Sequence, residues 1–268
     1  MNPMLDDALR RMRDALAGFL DRAVRPAEAV YRQQLALQDD PWHWTAPAVL
    51  GDLREQAQEL GLWNLFLPGD QGAGLTAQEY VPLATLAAQS PIGPVAINCA
   101  APDTGVMNLL AEQGTASQQR RWLQPLLAAR VRSALAAAPA GTSIVRDGDE
   151  CVVSGLQPGV PGALNPDARI FLVAAEAEPE VEAGPEVSAP RRRRHVVVPR
   201  SAAGVTVRRS TWAEGARDDR PPGGVATLVL DEVRVPVTNL LGFAGDRAGD
   251  GGSEARGDLG LDQERRTG

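Results

Sequence analysis

Leu5, Leu9, Met12, Leu16, Phe19 and Leu20 recur at spacings of three and four with charged residues between them, which predicts an amphipathic helix at the start of the chain. Pro26 interrupts this pattern, and residues 27–35 can resume it. A second helix is expected over residues 48–60, closed by Gly61 at a C-cap position. The run "LWNLFLPGDQGAG" then passes from apolar residues into a Gly-rich turn, with Trp63 and Phe66 expected in the core. Thr76 with Glu79 has the capping-box spacing, and Thr115 or Ser117 can cap the helix "QQRRWLQPLLAAR", where Pro125 must sit awkwardly or bend it.

The pattern changes near Val131. Short β-type runs follow at residues 133–137, 143–145, 151–154, 170–173, 195–198, 205–208 and 226–230, separated by turn signals. "RDGDE" (Arg146–Glu150) carries an Asp-Gly pair between two of them and predicts a hairpin, so Asp147 and Asp149 are turn residues rather than an acid–base pair. "LQPGVPGALNP" (Leu156–Pro166) reads as a loop without charge. The predicted fold is α+β: an all-helical domain over residues 1–130, then a small antiparallel β-barrel domain over residues 131–241. The acidic, Pro-containing stretch that ends in four arginines, residues 176–194, is expected to be a mobile insertion, and residues 242–268 a flexible tail.

Composition narrows the function classes. The chain has 268 residues, 44% of them hydrophobic, and a net charge of −7, which argues for a globular protein and against general binding to nucleic acid or anionic membranes. All 27 basic residues are arginine. No apolar run reaches a membrane span, and the acidic, discontinuous N-terminus resembles neither a secretory signal nor a transit peptide, so a cytoplasmic location is expected. Cys99 and Cys151, the two cysteines, lie in apolar surroundings and fit reduced, buried thiols. With two histidines, His43 and His195, far apart and no CxxC, a metal site is not expected. His43 lies between Trp42 and Trp44 and reads as a packed or surface residue, His195 as a strand opener, and Arg191–Arg194 as a solvated run. The glycines of "PGVPGA" do not lead from a strand into a helix and make no dinucleotide fingerprint.

Several stretches in order resemble the acyl-CoA dehydrogenase family, and within it the long vertebrate-type branch whose members often carry a fused kinase-like domain. They are "FLDRAVRPAEAVYRQQ" (Phe19–Gln34), "LREQAQELGLWNLFLPGDQGAGLTAQEY" (Leu53–Tyr80), "NCAAPDTGVMNLLAEQGTASQQRRWLQPLLAARVRSALA" (Asn98–Ala136), "RDGDECVVSG" (Arg146–Gly155) and "LDEVRVPVTNLLG" (Leu230–Gly242). The resemblance implies a helical domain, a middle β domain and a C-terminal four-helix domain. It also implies FAD as cofactor and α,β-dehydrogenation of an acyl-CoA, with a C-terminal carboxylate taking the α-proton and flavin N5 the hydride.

This chain departs from the family pattern at the flavin segments. The Thr-Glu-Pro-type motif and its Ser/Asp loop are replaced by "RSALAAAP" (Arg132–Pro139), with the threonine position on Ala137 or Ala138. The stacking aromatic and the hydroxyl near N5 fall within Pro158, Gly159, Val160 and Pro161. None of these carries a hydroxyl or a ring that could stack, and each flavin polar atom left unpaired in a closed site costs about 1–3 kcal/mol. "GDLGLDQERRTG" (Gly257–Gly268) resembles a damaged entry to the C-terminal domain, whose absence would remove the catalytic base.

No catalytic residue is therefore assigned. The cofactor positions matched by resemblance are Leu135, Ala136, Ala137, Ala138, Gly159, Val160 and Pro161, with FAD binding expected to be weak or lost. A second place is "APDTG" (Ala101–Gly105), where Asp103 or Thr104 can equally cap a helix. Three functions compete. One is a non-catalytic member acting with a protein partner, either a full-length acyl-CoA dehydrogenase or a second copy. Another is an FAD-dependent acyl-CoA dehydrogenase completed by another chain. The third is a truncated frame without function.

Overall fold

The computed structural model describes residues 3–38, 45–137, 141–177, 192–209 and 224–242. His43, Ala138, most of the expected insertion and almost all of the expected tail lie outside the described residues.

The first half is helical. Helix α1 (Pro3–Phe19) runs through a π turn, Leu20–Val24, directly into α2 (Arg25–Ala36). Pro26 therefore does not interrupt the rod. It sits in the first turn of α2, where a missing N–H is tolerated, and the wider turn before it makes room for the ring. The same device recurs at Pro125: a π turn over Gln119–Leu123 precedes α8 (Gln124–Leu127). Between them lie α3 (Val49–Glu59), α4 (Ala77–Ala87), α5 (Gly93–Ala96), α6 (Asp103–Gln113) and α7 (Ala116–Gln118). Gly61 closes α3 with φ 68°, and both expected caps form as full capping boxes, Thr76 with Glu79 and Thr115 (not Ser117) with Gln118.

All seven expected strands are present: β1 (Arg132–Ala136), β2 (Thr142–Asp147), β3 (Glu150–Pro161), β4 (Ala168–Ala177), β5 (Arg192–Pro199), β6 (Val205–Arg209) and β7 (Val225–Pro236). The α+β class holds, but the sheet is mixed and open rather than an antiparallel barrel. Its order is β1-β4-β2-β3-β7-β6, with β5 on the other edge of β4. β1 and β2 lie along one edge of β4, and both pair with it in parallel. A parallel pair needs a long crossover, and here the β2–β3 hairpin supplies it. Short apolar runs carry no record of strand direction, so the sequence pattern could not show this.

Two further expectations change. "LQPGVP" is strand, not loop: β3 continues to Pro161, paired with β7, and absorbs its misfit in bulges at Val153/Gly155 and Gln157/Val160. Glu176 and Ala177 close β4, and residues 192–194 open β5, inside the stretch expected to be an insertion. Arg193 is exposed and Arg194 half-buried in this strand, so these two belong to the sheet rather than to a solvated loop.

Among the described residues, three apolar clusters hold the molecule together. One fills the helices, around Leu16, Phe19, Leu53 and Ile97. One lies inside the sheet, around Ile144, Val153, Phe171 and Val196. The third joins them, with Val106, Met107, Leu110 and Trp122 against Ile170, Leu172 and Val197. β4 and β5 are thus covered on both faces, which is why "RIFLVAA" and "HVVVP" read as unbroken apolar runs instead of alternating.

Candidate functional site

Leu135 and Ala136 end β1, in register with Leu172 and Val173. The Ala136 methyl is buried in the sheet core, while Leu135 is half-buried and leans on α6, where a Cβ at Gly105 would lie 3.1 Å from Leu135 Cδ2. Ala137 is exposed. On β3, Val160 faces Ala226 and is buried, whereas Gly159 and Pro161 are exposed. β1 packs against β3 although β4 and β2 stand between them in the sheet order, so both expected segments lie on strands in contact. Gly162, just past β3, has φ 80°, and a Cβ there would lie 2.7 Å from both Pro102 Cγ and the Ser133 carbonyl oxygen. The end of β3 is therefore pressed onto the start of α6.

The described side chains at these positions do not fit a flavin. Ala136 and Val160 turn inward, Ala137 ends in a methyl, Gly159 has no side chain, and Pro161 has neither hydroxyl nor N–H. Gly159 has φ 67° and open space where a Cβ would stand. Among the described residues, no cluster of three potential metal ligands exists.

One polar residue escaped the sequence reading. Gln157 is 0% exposed, and its Nε2 donates to Thr142 Oγ1 at 2.8 Å and to the Ala174 carbonyl at 3.0 Å. It bridges β3, β2 and β4 beside the point where β1 gives way to β2. Its Oε1 is buried without a partner among the described residues. A lone amide two residues from a Gly-rich bulge carries no local signal of burial. Only the strand pairing turns it inward.

The second expected place, "APDTG", is a polar junction rather than a helix cap. Asp103 opens α6 but caps nothing there. Its Oδ1 accepts from Ser133 N at 2.7 Å and Ser133 Oγ at 2.6 Å, and its Oδ2 accepts from Arg132 Nη1 at 3.2 Å. Arg132 Nη1 also donates to Asn98 Oδ1 at 2.7 Å, and Asn98 Nδ2 donates to Asn64 Oδ1 at 2.7 Å and the Leu126 carbonyl at 3.0 Å. Asn64 and Asn98 both take φ 53°, a left-handed backbone that asparagine tolerates. The junction ties α6, α8 and the 97–99 segment to β1. Beside it, burial pushes the Cys99 thiol up to about 11, against hydrogen bonds from Tyr80 and nearby backbone, and also raises Tyr80. Burial likewise pushes Cys151 up to about 11, so neither thiol is a thiolate at neutral pH.

Comparison with known proteins adds the lineage. The family profile "Acyl-CoA dehydrogenase, N-terminal domain" matches residues 6–130. The Mycobacterium tuberculosis protein named "Probable acyl-CoA dehydrogenase FadE2" is 38% identical over 244 residues, covering 87% of this chain and 57% of that protein. A solved structure from Mycobacterium abscessus, designated an acyl-CoA dehydrogenase, is 30% identical and superposes with a TM-score of 0.76 over 88% of this chain and 60% of its own. Glutaryl-CoA dehydrogenase from Mycobacterium smegmatis, solved with FADH2, shares the fold at 18% identity with a TM-score of 0.62, over 91% of this chain and 56% of its own. The chain thus spans somewhat more than half the length of these relatives. Family profile, sequence relatives and fold agree that this chain belongs to the acyl-CoA dehydrogenase family.

Proposed function

We propose that this chain is a non-catalytic member of its family that acts in the cytoplasm through a protein partner, either a full-length acyl-CoA dehydrogenase or a second copy. The observation carrying this reading is the side-chain chemistry at Leu135–Ala137 and Gly159–Pro161. Those positions offer no hydroxyl, amide or aromatic face in the direction of solvent. A flavin placed there would leave polar atoms unpaired at about 1–3 kcal/mol each and forgo a stacking contribution of about 0.5–1.5 kcal/mol. A partner is supported by the outer face of the sheet, where Val145 on β2 and Leu156 on β3 are exposed and stand in register with Val152 and Val229.

The second reading, an FAD-dependent dehydrogenase of acyl-CoA thioesters completed by another chain, is favoured by the open space at Gly159 and by the paired β3–β7 frame beneath it. The two separate in one measurement. The chain is purified alone and with a full-length homologue, FAD is added, and the visible spectrum and elution volume are recorded. A colourless chain that co-elutes with the homologue or with itself is expected. A stoichiometric flavin band on the chain alone overturns the proposal.

A further inference from the structure

Six large apolar side chains are exposed among the described residues. Val30, Leu37, Leu60 and Val81 belong to different parts of the helical half. Val145 (38% exposed) and Leu156 (50%) instead share one face of the sheet. Alternation along the strands fixes that face. Ile144, Val153, Leu228 and Leu230 point into the sheet core, so their neighbours Val145, Val152, Val229 and Asp231 point outward. Val145 pairs with Val152, and Leu156 with Val229, which makes an apolar band across β2, β3 and β7. The band reaches the edge strand β6 at Thr206, opposite Val229. A contiguous apolar patch with a polar rim marks an interaction surface.

The charged rim selects the partner. The row Leu156–Val229–Thr206 is the centre of the face. Two residues along β6 from it stands Arg208, opposite Thr227. Two residues the other way along β7 stands Asp231, whose N–H donates to the Gly204 carbonyl at 3.0 Å, just before β6. Both side chains are exposed, and neither forms an ion pair among the described residues, whereas Arg234 farther out is held by Asp147 and Glu150. Opposite charges thus stand two residues to either side of one apolar row. A two-fold axis along that row exchanges the two sides, which makes the face complementary to itself.

We propose that this face binds a second copy of the chain in a two-fold dimer, with the two sheets face to face and their strands antiparallel. Leu156 and Val229 of each copy meet at the axis, and Arg208 of each copy reaches Asp231 of the other. Val152, nearer the hairpin, falls over the exposed Pro158 of the second copy. Sheets stack in this way at a separation of about 10 Å. The apolar band supplies the affinity. The exposed ion pairs are worth little each and fix the register. The dimer rests on the reading that the chain acts through a protein partner, and not on the loss of flavin.

The test is sedimentation equilibrium of the full chain over a range of concentrations, with circular dichroism to check the fold of each variant. A monomer–dimer equilibrium with a micromolar Kd is expected, as for a small interface. Leu156→Gln alters a side chain already half open to water, so it keeps the fold, and it is expected to weaken the dimer about tenfold because the contact occurs twice. Arg208→Glu sets like charges together at both contacts and is expected to weaken it roughly tenfold. Adding Asp231→Arg to Arg208→Glu restores opposite charges and is expected to return the Kd to within about threefold of wild type. A monomer at every concentration overturns the proposal, as does a dimer indifferent to Leu156→Gln. A double variant no tighter than Arg208→Glu alone also overturns it. So does a monomeric chain that binds a full-length homologue through Leu156, which gives the face to that occupant. A flavin band on the dimer would sink the non-catalytic reading and leave the dimer standing.

Discussion

At the scale of single residues, the two glycines flanking the end of β3 have opposite tolerances. Gly162→Ala would drive a Cβ to within 2.7 Å of Pro102 and of the Ser133 carbonyl, at φ 80°. Gly159 has an equally left-handed φ of 67° but nothing within reach of a Cβ. Gly159→Ala is therefore expected to cost about 1 kcal/mol from backbone strain alone, and Gly162→Ala about 3 kcal/mol or more. Urea unfolding midpoints of the two variants check this, and equal costs would refute the close approach. The sequence placed both glycines in one loop but could not rank them, because the clash comes from Pro102 and Ser133, far away along the chain.

At the scale of elements, β5 carries a titrating residue into the sheet. His195 pairs with Ala174, its carbonyl accepts from Leu241 N at 2.9 Å, and burial, with a smaller push from Arg193, lowers its pKa. The unfolded chain then binds a proton that the folded chain resists. Stability from this group is complete above the unfolded value of about 6.5 and is lost as pH falls through the lowered folded value. Denaturation from pH 8 to pH 5 should show this decline, and His195→Gln should flatten it. An unchanged slope would mean that other groups carry the effect. Element positions themselves were well legible: capping boxes, the Asp-Gly hairpin and apolar runs placed every strand and most helices. Pro26 and "LQPGVP" were misread because a π turn and two β-bulges each absorb a local breaker, and neither leaves a periodic trace.

At the scale of the whole molecule, the Asp103 junction and the apolar cluster around Leu110 and Ile170 make helices and sheet one body. Asp103→Asn preserves shape but leaves the Arg132 guanidinium buried without its carboxylate. A loss of about 3–5 kcal/mol is expected, the range for breaking a buried ion pair from one side. Calorimetry should show the helical and sheet parts uncoupling into separate transitions, and a single unshifted transition would refute the latch. By itself, the sequence determined the α+β class, the break near Val131 and the lineage, because each is written in local composition, spacing or motif. Only the tertiary structure decided the parallel pairing of β1 and β2 with β4, the inward turn of Gln157, and the junction of Asp103 with Arg132 and Ser133. These depend on which distant segments meet, and burial, register and ion pairing exist only once they have met.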